Sequence, residues 1–156
     1  MALVPEYTIN GSFGEIWDQD GDWLANVQEC RFTITVDRRD VLRSGTRRMG
    51  YKAMGTSGEG TIRGFKVTSE FLARVAVLMQ NDNARQFVGQ LLVKMDDPEA
   101  LGVERVLLKS VKVWEYTGGW QVNELVEEEV PFTFEDIALP TQIRGDMLRP
   151  RSPQAV

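Results

Sequence analysis

Five carboxylates crowd one stretch near the end of the chain: Glu127, Glu128, Glu129, Glu135 and Asp136. Side chains of this type could hold a divalent cation or work as an acid/base pair, provided that they converge on one point. The residues around them alternate, with Val130, Phe132 and Phe134 set against Glu129, Thr133 and Glu135, which is the signature of a strand. Consecutive side chains of a strand point to opposite faces, so the run divides its charge between two sides. The expected role is an acidic stripe, solvated or facing a partner, with no metal site.

Other candidate chemistry is sparse. The chain has no histidine, which removes the commonest general base and a very common zinc ligand together. Gly55-Thr56-Ser57-Gly58-Glu59-Gly60 could offer backbone amides to a phosphate, but the GxxxxGK[ST] spacing is missing and no helix start follows directly. Cys30 is the only cysteine and falls on the apolar side of an alternating run, where a structural thiol is expected. No catalytic residue and no cofactor is expected. Two readings of other classes stay open at this point: a ligand-binding β-barrel with a mobile lid, and an enzyme whose paired carboxylates come from separate strands and share a metal.

The bases are concentrated elsewhere. Arg38, Arg39, Arg43, Arg47, Arg48 and Lys52 lie in a segment from 38 to 60 that also holds five glycines and little that could form a core. Nucleic acid would call for overall basic excess or aromatic residues interleaved with the bases, whereas Tyr51 stands alone and the net charge is −5. Residues 31–75 carry ten bases against four acids, and residues 76–140 carry five against twelve. Opposed charge of this kind suits association between identical copies. The segment therefore reads as a long loop ordered only against another protein surface, since it cannot bury enough apolar area to offset its own ordering entropy.

The elements that would position these groups are mostly strands. At 156 residues the expectation is one domain, 1–156, mainly β with one α-helix. Gly14 to Val27, with Asp20-Gly21 at its turn, predicts a tight hairpin. Its second strand is expected to run on through Asp37, with Cys30, Phe32, Ile34 and Val36 on one face. Phe71, Leu72, Val75, Leu78 and Met79 fall at helical spacing after Thr68 or Ser69, and Asn81-Asp82-Asn83 predicts the stop, with the apolar stripe covering the sheet. Further strands are expected over 86–95, 104–116 and 125–139, the last an edge or bulged strand because of Pro131. Residues 1–12 and 141–156 read as N-terminal and C-terminal arms. No apolar run is long enough for a membrane-spanning helix, and the first residues lack the basic start and apolar block of a secretion signal, so folding in the cytoplasm without direct membrane binding is expected.

Two pieces of sequence carry a family resemblance. Gly58 to Phe71 reads G-x-G-T-x-x-x-x-K-V-T-S-x-F, and Glu128 to Asp136 reads EEVPFTFED. With the early Asn10-Gly11 and the hairpin after it, the chain resembles, over about residues 8–140, the XkdM-like tail tube proteins of contractile phages and phage-tail-like particles. The resemblance implies a β-sandwich or barrel-like fold with a long extended loop. It also implies hexameric rings of the protein itself, stacked into a hollow tube inside a sheath, with baseplate and tape measure or terminator proteins as further partners. DNA is then only passing cargo, as in a phage, and the finished tube is part of a virion tail or a released bacteriocin-like particle. In this reading the 38–60 loop, with Arg38, Arg39, Arg43, Arg47, Arg48, Tyr51 and Lys52, and the acids Glu127, Glu128 and Glu129 meet the neighbouring subunit or ring.

Overall fold

The computed structural model describes residues 3–22 and 24–143. Seven strands and one α-helix follow in order: β1 Gly14–Trp17, β2 Val27–Val41, β3 Gly50–Phe65, α1 Glu70–Gln80, β4 Gly89–Met95, β5 Glu104–Val113, β6 Glu127–Phe134 and β7 Asp136–Thr141. Two short 3-10 helices, Pro5–Tyr7 and Gly11–Phe13, precede them. The hydrogen-bonded order is β1-β4-β5-β6-β3-β2, with β7 on β5. This order has two free ends, so the sheet is open and does not close into a barrel.

The chain forms two compact units, each built from separate stretches of sequence. The first holds β1, β4, the start of β5 and most of β7. Here β1 pairs antiparallel with β4, from Gly14↔Met95 to Trp17↔Leu92. The expected hairpin between Gly14 and Val27 is short: β1 makes its ladder with β4, and the long strand β2 begins only at Val27. Gly21 takes the left-handed φ of 79° that its turn requires. Asp18 holds that turn by accepting the amide protons of Asp20 and Asp22 at 2.9 and 3.0 Å, and across it the Asp18 amide donates to the Asp22 carbonyl at 3.1 Å and the Leu24 amide to the Ile16 carbonyl at 2.9 Å. The N-terminal segment is also tied down here, because the Asn10 amide donates to buried Asp97 at 2.8 Å. Residues 144–156, most of the expected C-terminal arm, lie outside the described residues.

The second unit is β2-β3-β6 with the end of β5 and α1. Its core face alternates along β6, where Glu128, Val130, Phe132 and Phe134 are buried. The partners of these four on β3 are Gly64, Ile62, Gly60 and Gly58. Large rings on one strand thus sit over glycines on the next, and Phe32 meets Phe134 edge to face at 6.3 Å. The run expected as a single strand over 125–139 breaks at Glu135 into β6 and β7. β6 is interior rather than an edge. Pro131 is accommodated because β5 pairs with β6 only at Lys112↔Thr133 and Val113↔Phe132, and the next bridge is Thr117↔Glu129. The ladder is interrupted where proline has no N–H to give.

Ser110 lies where β5 passes from the first unit to the second, and its φ is 54°. A β-branched side chain is strongly disfavoured in that left-handed region. Ser110→Val is expected to lower stability by about 1–3 kcal/mol, read from the denaturation midpoint.

Helix α1 begins one residue after Ser69, whose side chain makes no capping bond, and stops at Asn81 as expected. The expectation that its whole apolar stripe covers the sheet is corrected. Phe71 is its one buried residue, while Leu72, Leu78 and Met79 are exposed.

Candidate functional site

The segment from 38 to 60 is the largest departure from a simple reading of composition. It is not an irregular loop. β2 and β3 pair continuously from Cys30↔Ile62 to Val36↔Thr56, pass a register shift, and continue from Arg38↔Ala53 to Val41↔Gly50. The result is a two-stranded ribbon of 15- and 16-residue strands, with 42–49 as its connecting turn and Gly45 at a φ of 79°. Backbone pairing needs no buried side chains, so the ribbon forms despite its charge and glycine content.

Every base of the candidate set is exposed on this ribbon. Arg38 and Arg39 end β2, Arg43, Arg47 and Arg48 occupy the turn, and Tyr51 and Lys52 begin β3. Arg38 stacks over the Tyr51 ring at 4.9 Å, which fixes one guanidinium against an aromatic face. Among the described residues, no salt bridge involves a base of the ribbon turn.

The three glutamates are not brought together. Glu127 and Glu129 stand exposed on the open face of β6, and Arg63 donates to Glu127 at 3.3 Å. Glu128 turns inward at 6% exposure and accepts a hydrogen bond from the Tyr116 hydroxyl at 3.2 Å. It holds the strand rather than presenting charge. Glu135 pairs with Lys112 at 2.6 Å, again on the open face. Such exposed pairs contribute only about 0–1 kcal/mol each to the fold. Their consequence is that the bases of this face are already engaged.

Alternation in the sequence places Cys30, Phe32, Ile34 and Val36 on one face, but it does not show that the outer part of this face stays uncovered. Ile34 and Val36 continue the face of Phe32, yet they are 48% and 53% exposed, uncovered by the described residues. The alternation in β2 finds these residues, whereas their exposure follows from the ribbon reaching past the core. Cys30, on that face, is half-buried, and loss of hydration pushes its thiol up to about 11. It stays protonated and unreactive near neutral pH.

A hollow of about 600 Å³ is lined by Phe65, Thr117, Gly119, Trp120, Glu124 and Leu125 among others. Trp120 is 80% exposed at its rim, so this is an open surface depression and not the enclosed apolar pocket of a ligand-binding barrel.

This fold, antiparallel β with one short helix and an open sheet, is similar to tail tube folds. The solved sheath-tube complex of an extracellular contractile injection system in its extended state is similar, with a TM-score of 0.69 at 10% identity, covering 88% of this chain and 95% of that one. The chain belongs to the phage tail tube protein family, whose model matches residues 1–141. In Bacillus subtilis, the uncharacterised protein YqbM is 33% identical over 93% of this chain and 99% of its own length. The phage-like element PBSX protein XkdM of the same organism is 32% identical over 92% and 97%. The protein has a structural role in a phage-type tail.

Proposed function

We propose that this protein is the repeating subunit of a hollow inner tail tube, with residues 1–156 acting as one tail tube domain. Six copies close into a ring, rings stack around a central channel, and a contractile sheath surrounds them. A baseplate and a tape measure or terminator protein bound the tube, and DNA is only passing cargo where the particle is a phage. The tube is assembled in the bacterial cytoplasm and then leaves in a virion tail or a tail-like particle. The role is mechanical, with no catalytic step and no cofactor.

The observation that carries this reading is the β2–β3 ribbon, whose outer strand is one end of the sheet. A 15-residue edge strand with open backbone groups is an aggregation hazard in a monomer and a joint in an assembly. The ribbon bases and the exposed Glu127 and Glu129 supply opposed charge that sets the register between copies, and Glu128 holds the strand from which those acids project. Purified protein is expected to give rings or tubes by negative-stain microscopy and a concentration-dependent mass by light scattering. A strictly monomeric species at high concentration overturns the reading.

A further inference from the structure

Helix α1 is apolar on more sides than its own chain covers. Of its eleven residues only Glu70, Arg74 and Gln80 are polar. Phe71 faces inward, but Leu72, Val75, Ala76 and Met79 follow at i, i+3, i+4 and i+7 and form a second stripe beside it. Met79 is 91% exposed, and Leu72 is exposed as well. Arg74 keeps its charge, but its guanidinium is directed over the Phe87 and Phe71 rings at 4.4 and 5.7 Å. A helix apolar nearly all round is one that is meant to be buried.

Among the described residues, three other segments each expose several large apolar side chains, and charge separates them. The N-terminal segment with Tyr7, Ile9 and Phe13 carries Glu6 and no base. The 114–125 segment with Trp120 and Leu125 carries Glu115 and Glu124 and no base. The ribbon from 36 to 56 carries six bases against two acids, beside the exposed Ile34, Val36 and Met54. The α1 segment itself, 70–82, carries Glu70 and Asp82 against Arg74 and is net acidic by one charge. Only the ribbon matches α1 in both apolar character and opposite sign.

We propose that the exposed stripe of α1 receives the apolar face of the β2–β3 ribbon from a second copy of this chain, a contact that rests on the tube-subunit reading and names its buried surface. The two patches are different and lie on one chain, so the contact is head to tail and repeats from copy to copy. Such a contact closes into a ring or runs on into a filament. The apolar surfaces supply the affinity and the ribbon's charge supplies the orientation.

Met79→Glu tests the docking surface. Its exposed position leaves the fold alone, so the unfolding midpoint stays that of the parent while the concentration needed for assembly rises by about tenfold or more, as for an anchor residue at the centre of an interface. A variant that assembles like the parent overturns the proposal. The occupant is tested in a Cys30→Ser background by Met79→Cys combined with Val36→Cys and treated with a short bismaleimide after assembly. Covalent multimers in the assembled double variant, absent from either single variant, support the ribbon as partner. Tubes that yield only monomer on denaturing gels overturn it: a helix thiol shielded from maleimide then means that another face of the tube covers α1, and a freely labelled helix thiol leaves α1 to a non-tube partner such as the sheath. A parent protein that never assembles removes the tube reading itself, a failure distinct from that of the contact.

Discussion

Gly60→Ala is expected to lower the stability of the folded subunit by about 3 kcal/mol or more, the upper end of what overpacking a tight core costs. A Cβ built at Gly60 lies 2.5 Å from Cζ of Phe132 and 2.6 Å from the carbonyl oxygen of Arg31. The ring cannot swing away, because Phe132 is buried in the core of its unit, and the carbonyl belongs to the paired backbone of β2. Gly64→Ala meets backbone alone, at 2.3 Å from the Asn26 oxygen and 2.7 Å from the Val27 Cα, and its effect should be at least as large. Against a total stability of roughly 5–15 kcal/mol, either loss is a large fraction of the whole. Gly55→Ala is the control, since its Cβ meets only the Asp37 carboxylate at 3.7 Å, and it should stay within about 0.5 kcal/mol of the parent. Urea denaturation of the three variants side by side settles the point. Equal midpoints for Gly55→Ala and Gly60→Ala would show that β2 and the Phe132 ring can yield, and that the ring-over-glycine packing does not hold the sheet together.

These glycines also mark where the residue string could be read and where it could not. The spacing of Phe71 to Met79 and the Asn81 stop locate α1 to within a residue, because helical period and capping are local properties. The Asp20-Gly21 turn was equally legible, but its partner strand was not: β1 pairs with β4, more than seventy residues away. Register across such a distance depends on contacts that no short window contains. The ribbon failed for another reason. Strand alternation is visible where one face is buried and the other is wet, and past Asp37 as far as Met54 the ribbon is exposed on both faces, so its side chains carry little period-two signal. Gly58 and Gly60 looked like freedom of the backbone, whereas they are the hollows under Phe134 and Phe132. The aromatic partners that explain them sit more than seventy residues downstream. For the candidate site, Glu128 illustrates the limit: alternation separates it from Glu127 and Glu129, but only the hydrogen bond from Tyr116 identifies it as an internal group.

Reversing two charges at the end of the ribbon, Arg47→Glu with Arg48→Glu, is expected to abolish assembly and leave the subunit folded. Both residues are exposed in the connecting turn, and neither takes part in a salt bridge among the described residues. The turn adds nothing to the core, so the unfolding midpoint should match the parent within about 0.5 kcal/mol. In an assembly the same change sets acid against acid wherever the ribbon meets Glu127 and Glu129 of a neighbour. Like charges placed together at an interface cost several kcal/mol, so the concentration needed to form tubes should rise by about a hundredfold or more. Two further measurements separate this account from a general loss of solubility or fold. Assembly of the parent should weaken as salt rises from low to physiological strength and beyond, because exposed charges are screened within about 8 Å at 0.15 M. Changing Glu127 and Glu129 to lysine in the doubly reversed background should restore part of the lost assembly, whereas the same two lysines in the parent should weaken it. Tubes of unchanged length from the Arg47/Arg48 variant would remove the ribbon turn from the contact. Rescue that fails while parent tubes still dissolve in salt would keep the turn and move its acidic partner to another face of the subunit.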